Sequence, residues 1–217
     1  MNHNWLDRLA RKHSNICIQN LTSTIVMGMG IVFVLEMFLS NALPMPLRYF
    51  LAFDRAAIFH GQIWRLITFI FIPPNTSMLW ILMLLYFYWF IGSHLEGSWG
   101  TFRFNVFYFC GVLGTIVSGL ITGYATNTFL NLSLFLAFAI LYPNCVVRVF
   151  GLIPIEVKYL GMVAAGSLLL LFFRSTFSGK LSLIVSLINL LLFFGGDLMR
   201  TINNAKRRYE WRQQFKR

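Results

Sequence analysis

Charge is what this sequence has least of. Lys, Arg, Asp and Glu make up 12% of its 217 residues, about half the share of a soluble globular domain, which excludes an ordinary water-soluble fold. Acidic groups are scarcest, seven against 18 basic ones. The only aspartates are Asp7, Asp54 and Asp197, and Asp197 alone adjoins an apolar run, so an intramembrane aspartyl protease would lack its second carboxylate. The four histidines, His3, His13, His60 and His94, all lie in the first half of the chain. The three cysteines, Cys17, Cys110 and Cys145, are odd in number and widely spaced. They offer neither a disulfide framework nor a Cys-x-x-Cys motif, and no His-Glu-x-x-His occurs. No metal and no cofactor is expected.

Apolar residues are what the chain has in abundance. They make up 58% of it, aromatics 17%, and mean hydropathy is +0.69. Such a composition excludes a disordered chain and fits several membrane spans of about 20 residues each. The spacing predicts six. The first is Leu21 to Ser40, too long for a signal-peptide core and not closed by a small-residue cleavage site. The second runs from Met78 to Gly92. Phe104 to Val147 carries no charge and is divided by the polar stretch Thr122–Asn131 into a third span ending near Gly123 and a fourth from Leu132 to Tyr142. The fifth and sixth lie between Lys158 and Arg174 and between Lys180 and Asp197. Their charge-free runs cover only about 22–24 Å of a hydrocarbon core of about 30 Å. Between the first two spans, Asn41–Ser77 interleaves Arg48, Arg55 and Arg65 with aromatics, as an element lying in the interface would. The chain thus divides into a basic N-terminal segment (1–20), a membrane domain (21–198) and a basic tail (199–217).

Lys and Arg set the orientation. With both termini in the cytoplasm, 13 of the 18 fall on that side: Arg8, Arg11 and Lys12, then Arg103, Arg148 and Lys158, and seven in the tail. This asymmetry supports both termini inside. It also explains the tail sequence KRRYEWRQQFKR as a topology anchor beside anionic lipid, without nucleic acid; a cytoplasmic partner for the tail is the sharper alternative.

Three motifs carry a family resemblance. Gly61-Gln62-Ile63-Trp64-Arg65-Leu66-Ile67-Thr68 closes the first loop. Leu95-Glu96 is followed by Trp99-Gly100 and Arg103-Phe104. Tyr142-Pro143-Asn144 is followed by Leu152-Ile153-Pro154-Ile155. In this order, on these spans, they resemble the rhomboid superfamily, including its derlin-like members, over about Leu47–Gly196. The resemblance implies an all-α polytopic six-helix bundle with an interfacial loop after helix 1. Physically, Trp64 suits headgroup depth, and the Arg65 guanidinium can hold phosphate or backbone carbonyls. Glu96 and Arg103 bracket a tight turn at which Gly100 permits the bend and the carboxylate can satisfy free N–H groups opening helix 3.

The chemistry that this resemblance would bring is missing. A rhomboid protease needs a serine in Gly-x-Ser-Gly and a histidine base on its last helix, because serine is a poor nucleophile until a base within reach takes its proton. No Gly-x-Ser-Gly occurs, and by the family's spacing Thr128 stands at the nucleophile position. Phe193, in Phe193-Phe194-Gly195-Gly196, stands in for the base. Ser77 and Ile81 replace the supporting His and Asn.

Polar residues inside spans complete the inventory. Glu36 interrupts the first span, where a charge is costly and must face the interior, a water cavity or the interface. Asn127 and Asn131, with Thr126 and Thr128, form either a polar turn or a retained hydrophilic cavity. Gly111, Gly114, Gly119 and Gly123 suit close helix packing within the chain. The leading expectation is a catalytically inactive rhomboid-like protein that binds transmembrane segments of client proteins in the bilayer, in membrane-protein quality control or trafficking. The alternatives are an atypical protease using Thr128 and a small transporter or lipid-handling protein using Glu36.

Overall fold

The computed structural model describes residues 17–39, 42, 44–74, 77–149 and 153–214. The basic N-terminal residues Arg8, Arg11 and Lys12 and the motif residue Leu152 lie outside them. Helix α1 (Leu21–Leu39) leads into three short helices, α2 (Leu47–Leu51), α3 (Arg55–Phe59) and α4 (Arg65–Thr68), with the two-residue strand β1 (Phe53–Asp54) between α2 and α3. A 3-10 turn (Phe69–Phe71) follows α4. Then come α5 (Met78–Trp99), α6 (Thr101–Thr122), β2 (Tyr124–Ala125), α7 (Thr128–Leu141), β3 (Val146–Val149), β4 (Ile153–Glu156), α8 (Val157–Arg174) and α9 (Phe177–Gln214).

Five helical segments are long and apolar enough to cross a membrane: α1, α5, α6, α8 and the Phe177–Gly195 part of α9. The protein is a multi-pass membrane protein. Large apolar side chains point outward along these helices, among them Met27, Leu79, Val163, Phe173 and Leu192, as expected where lipid is the solvent. Helix α7 has 14 residues and spans about 21 Å. It packs against α5, α6, α8 and α9, and its Ala137 and Phe138 are fully buried.

Chain reversals follow from local chemistry. Gly100 has φ +82°, a conformation open to glycine alone without strain, and it separates α5 from α6. Gly123 ends α6 in the left-handed region at φ +95°, its N–H bonded to the Gly119 carbonyl at 2.7 Å. Gly123 is therefore a helix terminator rather than a packing residue. The other three glycines of α6 do pack within the chain: a Cβ would lie 2.5 Å from Leu130 at Gly111, 2.5 Å from Val185 at Gly114 and 2.6 Å from Phe53 at Gly119.

Several expectations are corrected. The fourth span begins at Thr128 rather than Leu132, so Thr128 and Asn131 are helical. The turn after the second span is not where Glu96 acts. That residue lies inside α5, buried, and its carboxylate accepts the Asn20 N–H at 2.9 Å, so it caps α1 and not α6. The segment after Pro143 adds a short antiparallel β3–β4 pairing, Val146 opposite Glu156, to a molecule that is otherwise the expected, mostly helical bundle; its cluster of Val and Ile residues is the local signal for it. The ends of α8 include Lys158 and Arg174, giving 18 residues and about 27 Å, more than its charge-free run. Helix α9 is one helix of 38 residues that carries the apolar span Phe177–Gly195 and continues into the tail.

Candidate functional site

The first loop is held from inside by Arg65. It is buried, 7% exposed. Its guanidinium donates to the Tyr49 and Ala52 carbonyls at 2.7 Å each and to Gln62 Oε1 at 2.6 Å. Those two carbonyls are orphans at and after the end of the short helix α2, and the Thr68 hydroxyl donates to a third, Leu51 O, at 2.9 Å. Of the two expected uses of Arg65, the backbone one is realised and the headgroup one is closed off by burial. Trp64 differs: it is 54% exposed, with Nε1 donating to Phe50 O at 3.4 Å. Tyr49, Phe59, Ile63 and Ile67 are likewise exposed, an apolar surface suited to the interface.

The loop is tied to the bundle at both ends. At the first, Arg48 makes a two-point contact with Glu36, 2.6 and 2.7 Å, and the carboxylate raises the Arg48 pKa above its ordinary value. Glu36 is thus an ion-pair partner at the end of α1. At the second, β1 pairs with β2, Phe53 opposite Ala125, while Arg55 donates to the Leu120 and Ile121 carbonyls at the C-terminus of α6. Asp54 caps α3 through the Ala56 and Ala57 N–H groups. Asn127 completes the closure: its buried amide donates to the Ile70 and Ile72 carbonyls at 2.9 Å each. Asn127 thus ties the start of α7 to the backbone that ends the first loop.

Below that closure a ladder of hydroxyl and amide contacts fixes the depth of each residue along α9. Ser178 bonds Thr122, Ser182 meets Ser118 at 2.9 Å, Ser186 donates to Phe129 O at 2.7 Å and Asn189 to Phe107 O at 3.1 Å. Thr128 therefore lies level with Ser186, about 12 Å in from Ser178, and its side chain is exposed. Phe193 lies seven residues further on, about 10 Å deeper. There it is buried against Trp99 and Phe107, with ring centroids 6.1 and 5.5 Å away, while Phe194 stacks on Trp99 at 4.0 Å. The structure does not bring the expected nucleophile and base positions together. Helix-to-helix register is what decides this, and spacing along one chain does not contain it.

The remaining candidates also resolve. Asn131 is buried on α7, its Nδ2 without a hydrogen-bond partner among the described residues. Arg103 is half-buried on the first turn of α6. Of the described histidines, His60 is exposed in the first loop, and His94 Nδ1 donates to the Phe90 carbonyl at 2.8 Å beside the Phe138 and Tyr142 rings, at the far end of α7 from Thr128. Among the described residues no three His, Cys, Asp or Glu side chains are grouped to hold a metal. Residues that sequence reasoning missed are Asp54, Tyr88, Tyr108 and Asn105. The Asn105 amide brackets Ile18 through both its N–H and C=O, at 3.1 and 3.0 Å. No protein-family model and no curated protein matches the chain.

Proposed function

We propose that the protein is a rhomboid-like, derlin-like membrane protein without proteolytic activity, which binds transmembrane segments of client proteins for their surveillance or trafficking. In this reading α1 and α5–α9 are the six helices of the family and α2–α4 its interfacial loop. One observation carries the proposal: Thr128 is exposed about 12 Å inside the bundle, and the α9 residue at its level is a serine bound to a backbone carbonyl. A threonine hydroxyl does not attack a peptide without a base to take its proton, so this position favours contact over chemistry. The short α7, beginning below the ends of its neighbours, supports a lateral recess into which a client helix could place a polar side chain. The Glu36–Arg48 pair leaves the carboxylate already neutralised, which weighs against transport through Glu36. A cytoplasmic partner would be recognised through the basic sequence of the tail.

The test is photocrosslinking from a probe at position 128 in native membranes, followed by mass spectrometry. Discrete adducts with membrane proteins, reduced when Phe129→Trp narrows the recess, are expected. Adducts with lipid alone would overturn client binding. A cleaved product that vanishes in Thr128→Val would overturn the absence of proteolysis.

A further inference from the structure

The hairpin between α7 and α8 has an open strand edge, and the hydrogen bonds around it fix which groups face outward. Val157 N–H donates to the Cys145 carbonyl at 2.8 Å, which extends the β3–β4 ladder one pair beyond Val146 and Glu156. Bonded and non-bonded pairs alternate along an antiparallel ladder. Val147–Ile155 and Val149–Ile153 are therefore the bonded pairs, and Val146–Glu156 and Arg148–Pro154 the non-bonded ones. Pro154 agrees, because a residue without an N–H fits only a position facing away from the partner strand. The backbone N–H and C=O groups of Val146 and Arg148 thus point outward from β3. Among the described residues no third strand joins this sheet, and neither residue has a backbone bond outside the hairpin. Val146 is 51% exposed.

The two edges of the hairpin are not equivalent. Proline on an edge blocks further pairing, so Pro154 closes the β4 side. The β3 side has no such guard. Its sequence, VVRV, favours strand, and a sheet of two strands alone is marginal in stability. We propose that the outer edge of β3 binds an extended acidic segment of a partner polypeptide as a third strand. The backbone groups of Val146 and Arg148 hold such a segment whatever its side chains, as in other strand additions. Charge selects the acidic one: between Cys145 and Lys158 the chain carries Arg148 and Lys158 against Glu156 alone, and that carboxylate is already paired with Lys158. The inference is independent of client binding at Thr128, since it rests on the hairpin alone.

The experiment uses the full chain in lipid nanodiscs and the end-capped peptide Asp-Val-Glu-Val-Asp. In the free protein, amide hydrogen exchange should be fast at Val146 and Arg148 and slow at Val147, and saturating peptide should slow the first two. Val146→Pro removes an outward N–H that the hairpin does not use. It should leave Val147 protected and weaken the peptide about tenfold or more. Methylating the peptide nitrogens one at a time should weaken binding at every second position only. The uncharged peptide Asn-Val-Gln-Val-Asn should bind more weakly. Slow exchange at Val146 in the free protein, no binding of the acidic peptide, or an affinity unchanged by Val146→Pro overturns the proposal. Equal affinity for the uncharged peptide overturns the acidic partner.

Discussion

Arg65 shows how a residue can be chosen for its motif and retained for its packing. Lys could supply the charge but not the planar fork that serves two carbonyls and Gln62 together. Arg65→Lys is therefore expected to lower the thermal-unfolding midpoint in detergent, and Arg65→Ala to cost about 2–4 kcal/mol by leaving three acceptors unpaired around a buried side chain. Trp64→Ala should cost less than 1 kcal/mol in detergent, because its ring is exposed, while reducing retention in liposomes. Equal losses for Trp64→Ala and Arg65→Ala would contradict this division of roles. Asn127 was visible in the sequence as a polar residue between spans. Its acceptors, Ile70 and Ile72, were not, because nothing local marks which carbonyls a loop leaves unpaired.

At the scale of elements, the positive-φ glycines Gly100 and Gly123 act as corners at the two ends of α6. Gly100→Ala forces a side chain into a backbone region that only glycine tolerates, at roughly 1–3 kcal/mol, and a midpoint unchanged from the parent would mean that the α5–α6 corner relaxes freely. Most helices were legible because a bilayer demands long apolar runs, and such runs are local. What was not legible is register. The Ser118–Ser182 and Ser186–Phe129 contacts place α9 against α6 and α7 to within a turn, and that offset decides that Phe193 stacks beside Trp99 instead of facing Thr128. The Glu96 carboxylate is the same lesson: a turn residue by sequence, it caps a helix through Asn20, 76 residues earlier.

For the molecule as a whole, the helices fix which parts share a side. In the proposed six-helix arrangement five crossings separate α3 from the end of α9, which would put the two on opposite faces of the membrane. A membrane-impermeant maleimide should therefore label Phe59→Cys and Asn203→Cys from opposite faces of intact vesicles, in a background with Cys17, Cys110 and Cys145 replaced. Labelling of both from one face would mean that α7, the shortest apolar helix, does not complete a crossing. The charge asymmetry predicts Asn203 on the cytoplasmic side.

The clasp of Asn105 on Ile18 also has a meaning in time. The two residues are 87 positions apart, and Asn20 waits equally on Glu96. At roughly 5–20 residues per second, the start of the first helix is synthesised about 4–17 s before Asn105. Until then its leading N–H groups depend on interfacial water. Its placement becomes final only when α6 arrives, so the entry to α1 at Ile18–Asn20 is the part whose contacts are completed late.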